Sequence, residues 1–164
     1  MSSILKVDTL QDSGGNNLVT SNGSGVITSS AFGKVLQVVS VTATAEQTTT
    51  SQSYVASTGL TASITPSSTS SKILISVMTN VRSSADATYT VYRGSTNLAG
   101  SGSFFQINAG GANVRTLATI NYLDAPSTTS STTYTLYFLA GAGTAYINQE
   151  GSKQGQIILT EIGG

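Results

Sequence analysis

The chain of 164 residues contains no cysteine, no histidine and no tryptophan, and only two prolines. Without cysteine, a small secreted domain stapled by disulfides is excluded. Without cysteine and histidine together, the usual zinc ligand sets and thiol- or imidazole-based catalysis are excluded. Charge is equally scarce. Only 9% of residues are charged, against about 25% in an average globular domain. Seven Lys/Arg balance seven Asp/Glu, and the cations Lys6, Lys34, Lys72, Arg82, Arg93, Arg115 and Lys153 form no basic run. A nucleic-acid partner held by bulk electrostatics is therefore not expected. No apolar stretch approaches the roughly 18 residues of a membrane span, so membrane insertion is not expected either. The opening Met1 to Lys6 has no apolar signal-peptide core.

What is present is serine and threonine, about a third of the chain, with 17 glycines and many Val and Ile. That mixture suits twisted sheets with tight turns and suits helices poorly. Hydrophobic residues make up 38% and net charge is zero, whereas disorder goes with low hydrophobicity and high net charge.

Lys72 to Arg82 is the clearest period-2 segment. Ile73, Ile75, Val77, Thr79 and Val81 fall on one face, and Leu74, Ser76, Met78, Asn80 and Arg82 on the other. The same alternation marks Thr88–Arg93, Val114–Leu123 and Thr132–Ala140. Further strands are expected at Val35–Thr42, Tyr54–Ala56, Gly59–Ile64, Ser103–Asn108, Ala145–Asn148 and Gln156–Ile162. Thr44–Gln52 reads as a loop and Gly151–Gly155 as a turn. Eight to ten short strands with turn signals between them predict an all-β antiparallel sandwich, jelly-roll-like, over residues 34–164. A simpler Greek-key sandwich is the second choice.

Residues 1–33 differ. Three short apolar pieces are separated by Gly/Asn turns, and none is long enough to bury itself. They read as an extended or β attachment and trimerisation segment carried by Ile4, Leu5, Val7, Leu10, Leu18, Val19, Val26 and Ile27.

Ile4–Asp12, followed by a Gly/Asn turn and Gly23–Thr28, resembles the N-terminal segment of fibre-like structural proteins of marine and cyanobacterial tailed phages. Gly59–Pro66, Ser71–Ile75, Tyr92–Gly94, Thr133–Tyr137 and Thr160–Gly163 are similar to the C-terminal β domain of the same proteins. The resemblance implies a homotrimeric virion protein assembled in the host cytoplasm, a short tail fibre or receptor-binding tip. Its implied partners are itself, other phage tail or capsid structural proteins, and a host-surface glycan or protein. A trimeric capsid decoration protein with no host-binding role is the alternative. The chain carries no long repeat-built shaft, which is a departure from most fibres.

No catalytic residue, metal site or cofactor is expected. A glycosidase needs two carboxylates flanking one bond, and Asp86, Asp124 and Glu150 read as turn-forming or solvated residues. Arg93 and Arg115 read as surface ion-pair partners. Tyr89, Tyr92, Tyr122, Tyr134, Tyr137 and Tyr146, with Phe104 and Phe105, read mainly as core or subunit-interface residues. Counting strand reversals places the loops containing Glu46, Gln47, Gln52, Ser84, Asp86, Asn108 and Asn113 at the end away from the attachment segment. Those residues are the candidate receptor-facing set.

Overall fold

The computed structural model describes residues 7–21, 23–24, 27–28, 34–148 and 154–163. The described residues are all-β, without a helix. Contacts divide the chain into two compact units, residues 1–34 and 35–164.

The first unit is a three-stranded antiparallel sheet of β1 (Thr9–Gln11), β2 (Asn17–Ser21) and β3 (Ile27–Thr28), in that order. Asp12 builds the first turn. Its carboxylate accepts from Gly14 N (2.8 Å), Asn16 N (2.9 Å) and the Asn16 amide. The Asn16 side-chain and backbone bonds hold its pKa below the usual carboxylate range. Val7 and Leu10 are exposed and Leu18 and Val19 half-buried. Ile27 pairs with Ser21. Ile4, Leu5 and Val26 lie outside the described residues.

The second unit is a sandwich of two antiparallel sheets. One contains β4 (Val35–Ala43), β5 (Gln47–Thr49), β7 (Lys72–Ser83), β11 (Val114–Asp124), β13 (Ala145–Ile147) and β14 (Gly155–Ile162). β13 and β14 pair with the same edge of β7, one after the other, and β5 and β4 continue outside them. β11 covers the other edge of β7. The sheet thus has four columns, β4/β5, β14/β13, β7 and β11. The other sheet contains β6 (Val55–Ile64), β12 (Thr132–Ala140), β8 (Ala87–Arg93), β9 (Thr96–Asn97) and β10 (Phe105–Ile107). Its columns are β6, β12, β8 and β9/β10.

The period-2 segments place their faces as the sequence predicts. Ile73, Ile75, Val77 and Val81 of β7 join Tyr134, Leu136 and Phe138 of β12 and Tyr89 and Val91 of β8 in one core. Two expectations change. Tyr54–Ala56 and Gly59–Ile64 are not separate strands. Val55 and Ala56 belong with Gly59–Ile64 to one strand, β6, whose register with β12 slips between Thr135 and Tyr137. Ser57 makes the slip possible, because its hydroxyl accepts from Gly59 N (3.3 Å) and Leu60 N (2.9 Å) and satisfies donors that the ladder leaves out. Thr44–Gln52 contains β5 rather than being a plain loop. Gly151–Lys153 of the expected turn lie outside the described residues; β13 and β14, on either side of them, run in the same direction along β7.

Gly59 sits where the sheets approach. A Cβ there would lie 2.7 Å from Ala43 Cβ. Gly59→Ala should therefore destabilise the protein by about 1–3 kcal/mol through overpacking, read as a lower melting temperature with unchanged circular dichroism. An unchanged melting temperature would show that the sheets have slack at this point.

Candidate functional site

The inner face of the first sheet ends, towards Val35, on one cross-strand row: Gln37, Glu161, Ile73 and Asp124. Two carboxylates thus flank an isoleucine where a sandwich normally places apolar side chains. A buried carboxylate needs partners, and each finds them differently.

Glu161 is buried. It accepts from Gln37 Nε2 (2.6 Å), Ser67 N (2.7 Å) and Ser67 Oγ (2.7 Å). Burial by itself would raise its pKa. The Gln37 bond, the nearby buried Ser71 hydroxyl and the Ser67 bonds outweigh burial and hold it at about 2. Among the described residues, Ser71 Oγ reaches no partner within hydrogen-bond geometry.

Asp124, expected as a turn or solvated residue, is instead buried at the end of β11. Arg93 Nη1, from the end of β8, donates to both of its oxygens at 2.9 Å. Tyr134 Oη, from β12, donates to Oδ2 at 2.7 Å. The pair joins the two sheets, so it is not the exposed ion pair expected of Arg93. Burial, reinforced by the bond to Asp124, pushes the Tyr134 phenol far above its usual pKa.

Beside this network lies a cleft of about 390 Å³ lined by Arg93, Gly94, Pro126, Thr128, Ser131, Thr132 and Thr133. Ser127, between the lining residues Pro126 and Thr128 in sequence, has a φ of 52°, a left-handed conformation uncommon for serine. Among the described residues, the hydrogen bonds of Arg93 all run through Nη1. From Thr133 the outward face of β12 continues through Thr135 to Tyr137. Ser63 and Thr61 of β6 bond to Thr133 and Thr135, each at 2.7 Å between hydroxyls. Tyr137 stacks on Tyr92 with ring centroids 4.0 Å apart, and Tyr54 meets Tyr92 edge-on at 6.0 Å. The aromatics therefore divide. Tyr89 and Tyr134 are core, whereas Tyr54, Tyr92 and Tyr137 form a half-buried platform on the outer face.

The expected receptor-facing residues do not all meet. Gln52, Ser84 and Asp86 gather at the far end, where Gln52 Nε2 reaches Gly141 O (3.4 Å) and Gly141 N reaches Asp86 O (2.7 Å). Asn108 and Asn113 are exposed on the β10–β11 connection, and Asn113 accepts from Arg82 (3.1 Å). Glu46 lies part-way along the sheet edge, between β4 and β5. Gln47 is tied to Ala56 O (3.0 Å) and Thr58 N (2.9 Å), bridging the sheets. Asp86 and Asp124 stand at opposite ends, since β8 begins after Asp86 and ends on Arg93. Glu150 lies outside the described residues. Sequence reasoning missed the Arg93 cleft because its lining comes from two strands, β8 and β12, and from the connections that follow β8 and β11. The one local signal was Asp124-Ala125-Pro126 closing a strand.

No protein-family model and no curated protein matches this chain.

Two measurements test this end of the sandwich. Tyr134→Phe removes one bond to a buried carboxylate and should cost about 1–3 kcal/mol in urea denaturation at neutral pH; no loss would mean that Asp124 is satisfied by Arg93 alone. Glu161 has a folded pKa below its unfolded value. Its stabilisation is therefore complete above the usual carboxylate pKa of about 4.5 and is lost as pH falls towards 2. Glu161→Gln should be less stable than the parent at neutral pH by about 1–3 kcal/mol, with the gap narrowing over that acid range. A gap independent of pH would contradict the depressed pKa.

Proposed function

We propose that this protein is a homotrimeric structural component of a phage virion, a short tail fibre or tail tip serving host attachment. The observation that carries the reading is an asymmetry of the outer faces. The exposed large hydrophobics of the β unit among the described residues are Val35 (61%), Val38 (58%), Met78 (46%), Leu117 (49%) and Leu123 (53%). All of them belong to β4, β7 and β11 of one sheet. Leu123, Leu74, Thr160 and Val38 form one outward row across its four columns. The core is already complete on the inner face, so this apolar face is surplus to folding one chain. Faces of that kind mark association surfaces. In this reading three copies meet along it, residues 1–33 seat the trimer on the particle, and the rest faces the host.

The ladder order supports a jelly roll for the β unit. Numbering the eight columns along the chain, one sheet runs first, eighth, third, sixth and the other second, seventh, fourth, fifth. That is two interlocked Greek keys over eight strands. The phage assignment is supported by the sequence resemblance, and three copies raise weak single-site binding by orders of magnitude.

Light scattering on the full chain should give about 50 kDa, three times the 16.7 kDa protomer. Val38→Glu with Leu123→Glu should lower that mass while circular dichroism stays unchanged. A monomeric parent protein would overturn the trimer. Labelled protein should adsorb to host cells and compete with infection. Its location on the capsid lattice in images of the virion would point to a decoration protein instead.

A further inference from the structure

We propose that the cleft beside Arg93 binds a neutral oligosaccharide, with the chain of sugars continuing over Thr133 and Thr135 to the Tyr92–Tyr137 platform. The attachment reading supplies only the source of the glycan; the site itself stands on the geometry of the β unit.

Three observations converge. The cleft, at about 390 Å³, falls within the roughly 300–1,000 Å³ of small-ligand sites. Its lining is a guanidinium, four hydroxyl side chains, a glycine and a proline, a set of donors and acceptors without a free carboxylate. The arginine is preorganised. Asp124 fixes Nη1 through two 2.9 Å bonds and is itself fixed by Tyr134 at 2.7 Å, so a ligand need not order that long side chain.

The same pairing selects the ligand's charge. Asp124 neutralises Arg93, so the cleft presents hydrogen-bonding capacity with little net charge. An anionic sugar would find no uncompensated positive charge there, because Asp124 already pairs with the one cation of the lining. A polyol instead accepts from Nε and Nη2 and both donates to and accepts from Thr128, Ser131, Thr132 and Thr133. Beyond Thr133, the same face of β12 offers Thr135 and then Tyr137 at steps of about 6.6 Å, two residues of strand. That track suits an oligomer, with the apolar face of a sugar ring against the tyrosines.

The test uses the full chain and saturation-transfer difference NMR with oligomers of glucose, galactose, mannose and N-acetylglucosamine, and of galacturonate as the anionic control. Saturation transfer from at least one neutral oligomer is expected, with little from galacturonate. Arg93→Ala should weaken binding about tenfold or more, the value of one charge-assisted bond. Because that variant leaves a buried carboxylate unpaired, Ser131→Leu serves as its companion. Ser131 is exposed, so leucine fills the cleft mouth without touching the ion pair, and it should weaken binding comparably at an unchanged melting temperature. Neutral sugars that bind both variants like the parent, preference for galacturonate, or silence towards every neutral oligomer would each overturn the proposal. A trimer that adsorbs to cells yet ignores these sugars sinks the cleft and leaves the attachment role standing. A monomer that binds them at the cleft does the reverse.

Discussion

Two buried carboxylates hold one end of this sandwich together. Glu161 and Asp124 occupy the same inward row, either side of Ile73, and both are buried. Each must draw partners from elsewhere. Glu161 takes Ser67 from the connection between β6 and β7, crossing from one sheet to the other. Asp124 takes Arg93 and Tyr134 from β8 and β12 of the opposite sheet. The requirement to satisfy a charge thereby becomes a clamp between layers. The open cleft lies directly beside this clamp, with Arg93 in its lining.

The two outer faces divide the remaining chemistry. On one sheet Val38, Leu74, Met78, Leu117 and Leu123 point away from a core that does not need them. On the other, paired hydroxyls run beside three tyrosines, and the connection after β9 folds against them through Asn97 and Gly102. An assembly that covers the first face leaves the second open, and three copies of it would be presented together. The far-end loops, which strand counting favoured for contact, hold fewer converging groups. Ser84 there bonds to its own fold through Thr144 N, and Gln47, in β5, does so through Ala56 O and Thr58 N.

Much of the sandwich was legible because its signal is local. Alternation in Lys72–Arg82 and Thr132–Ala140 follows from burying one face of a pleated strand, and Gly110 and Gly111 take the positive φ that a turn asks of them. The misread pieces depend on distant neighbours. Ser57 looks like a strand break until β12 is seen to continue opposite it. Asn148 looks like the end of a strand, yet it is buried with a φ of 53°, held by Thr79 at 2.7 Å and by Ala45 O at 3.2 Å. That arrangement lets β13 hand over to β14 without a reversal.

The sequence alone determined the all-β class and most strand faces of the sandwich, because period and turn chemistry are written within a few residues of one another. The tertiary structure alone decided which polar side chains are buried and which aromatics are exposed. Asp124 and Asp86 are indistinguishable as residues in turns. One is paired with an arginine 31 positions away and the other faces water, because pairing across two sheets is a property of the ladder order and not of any window of sequence.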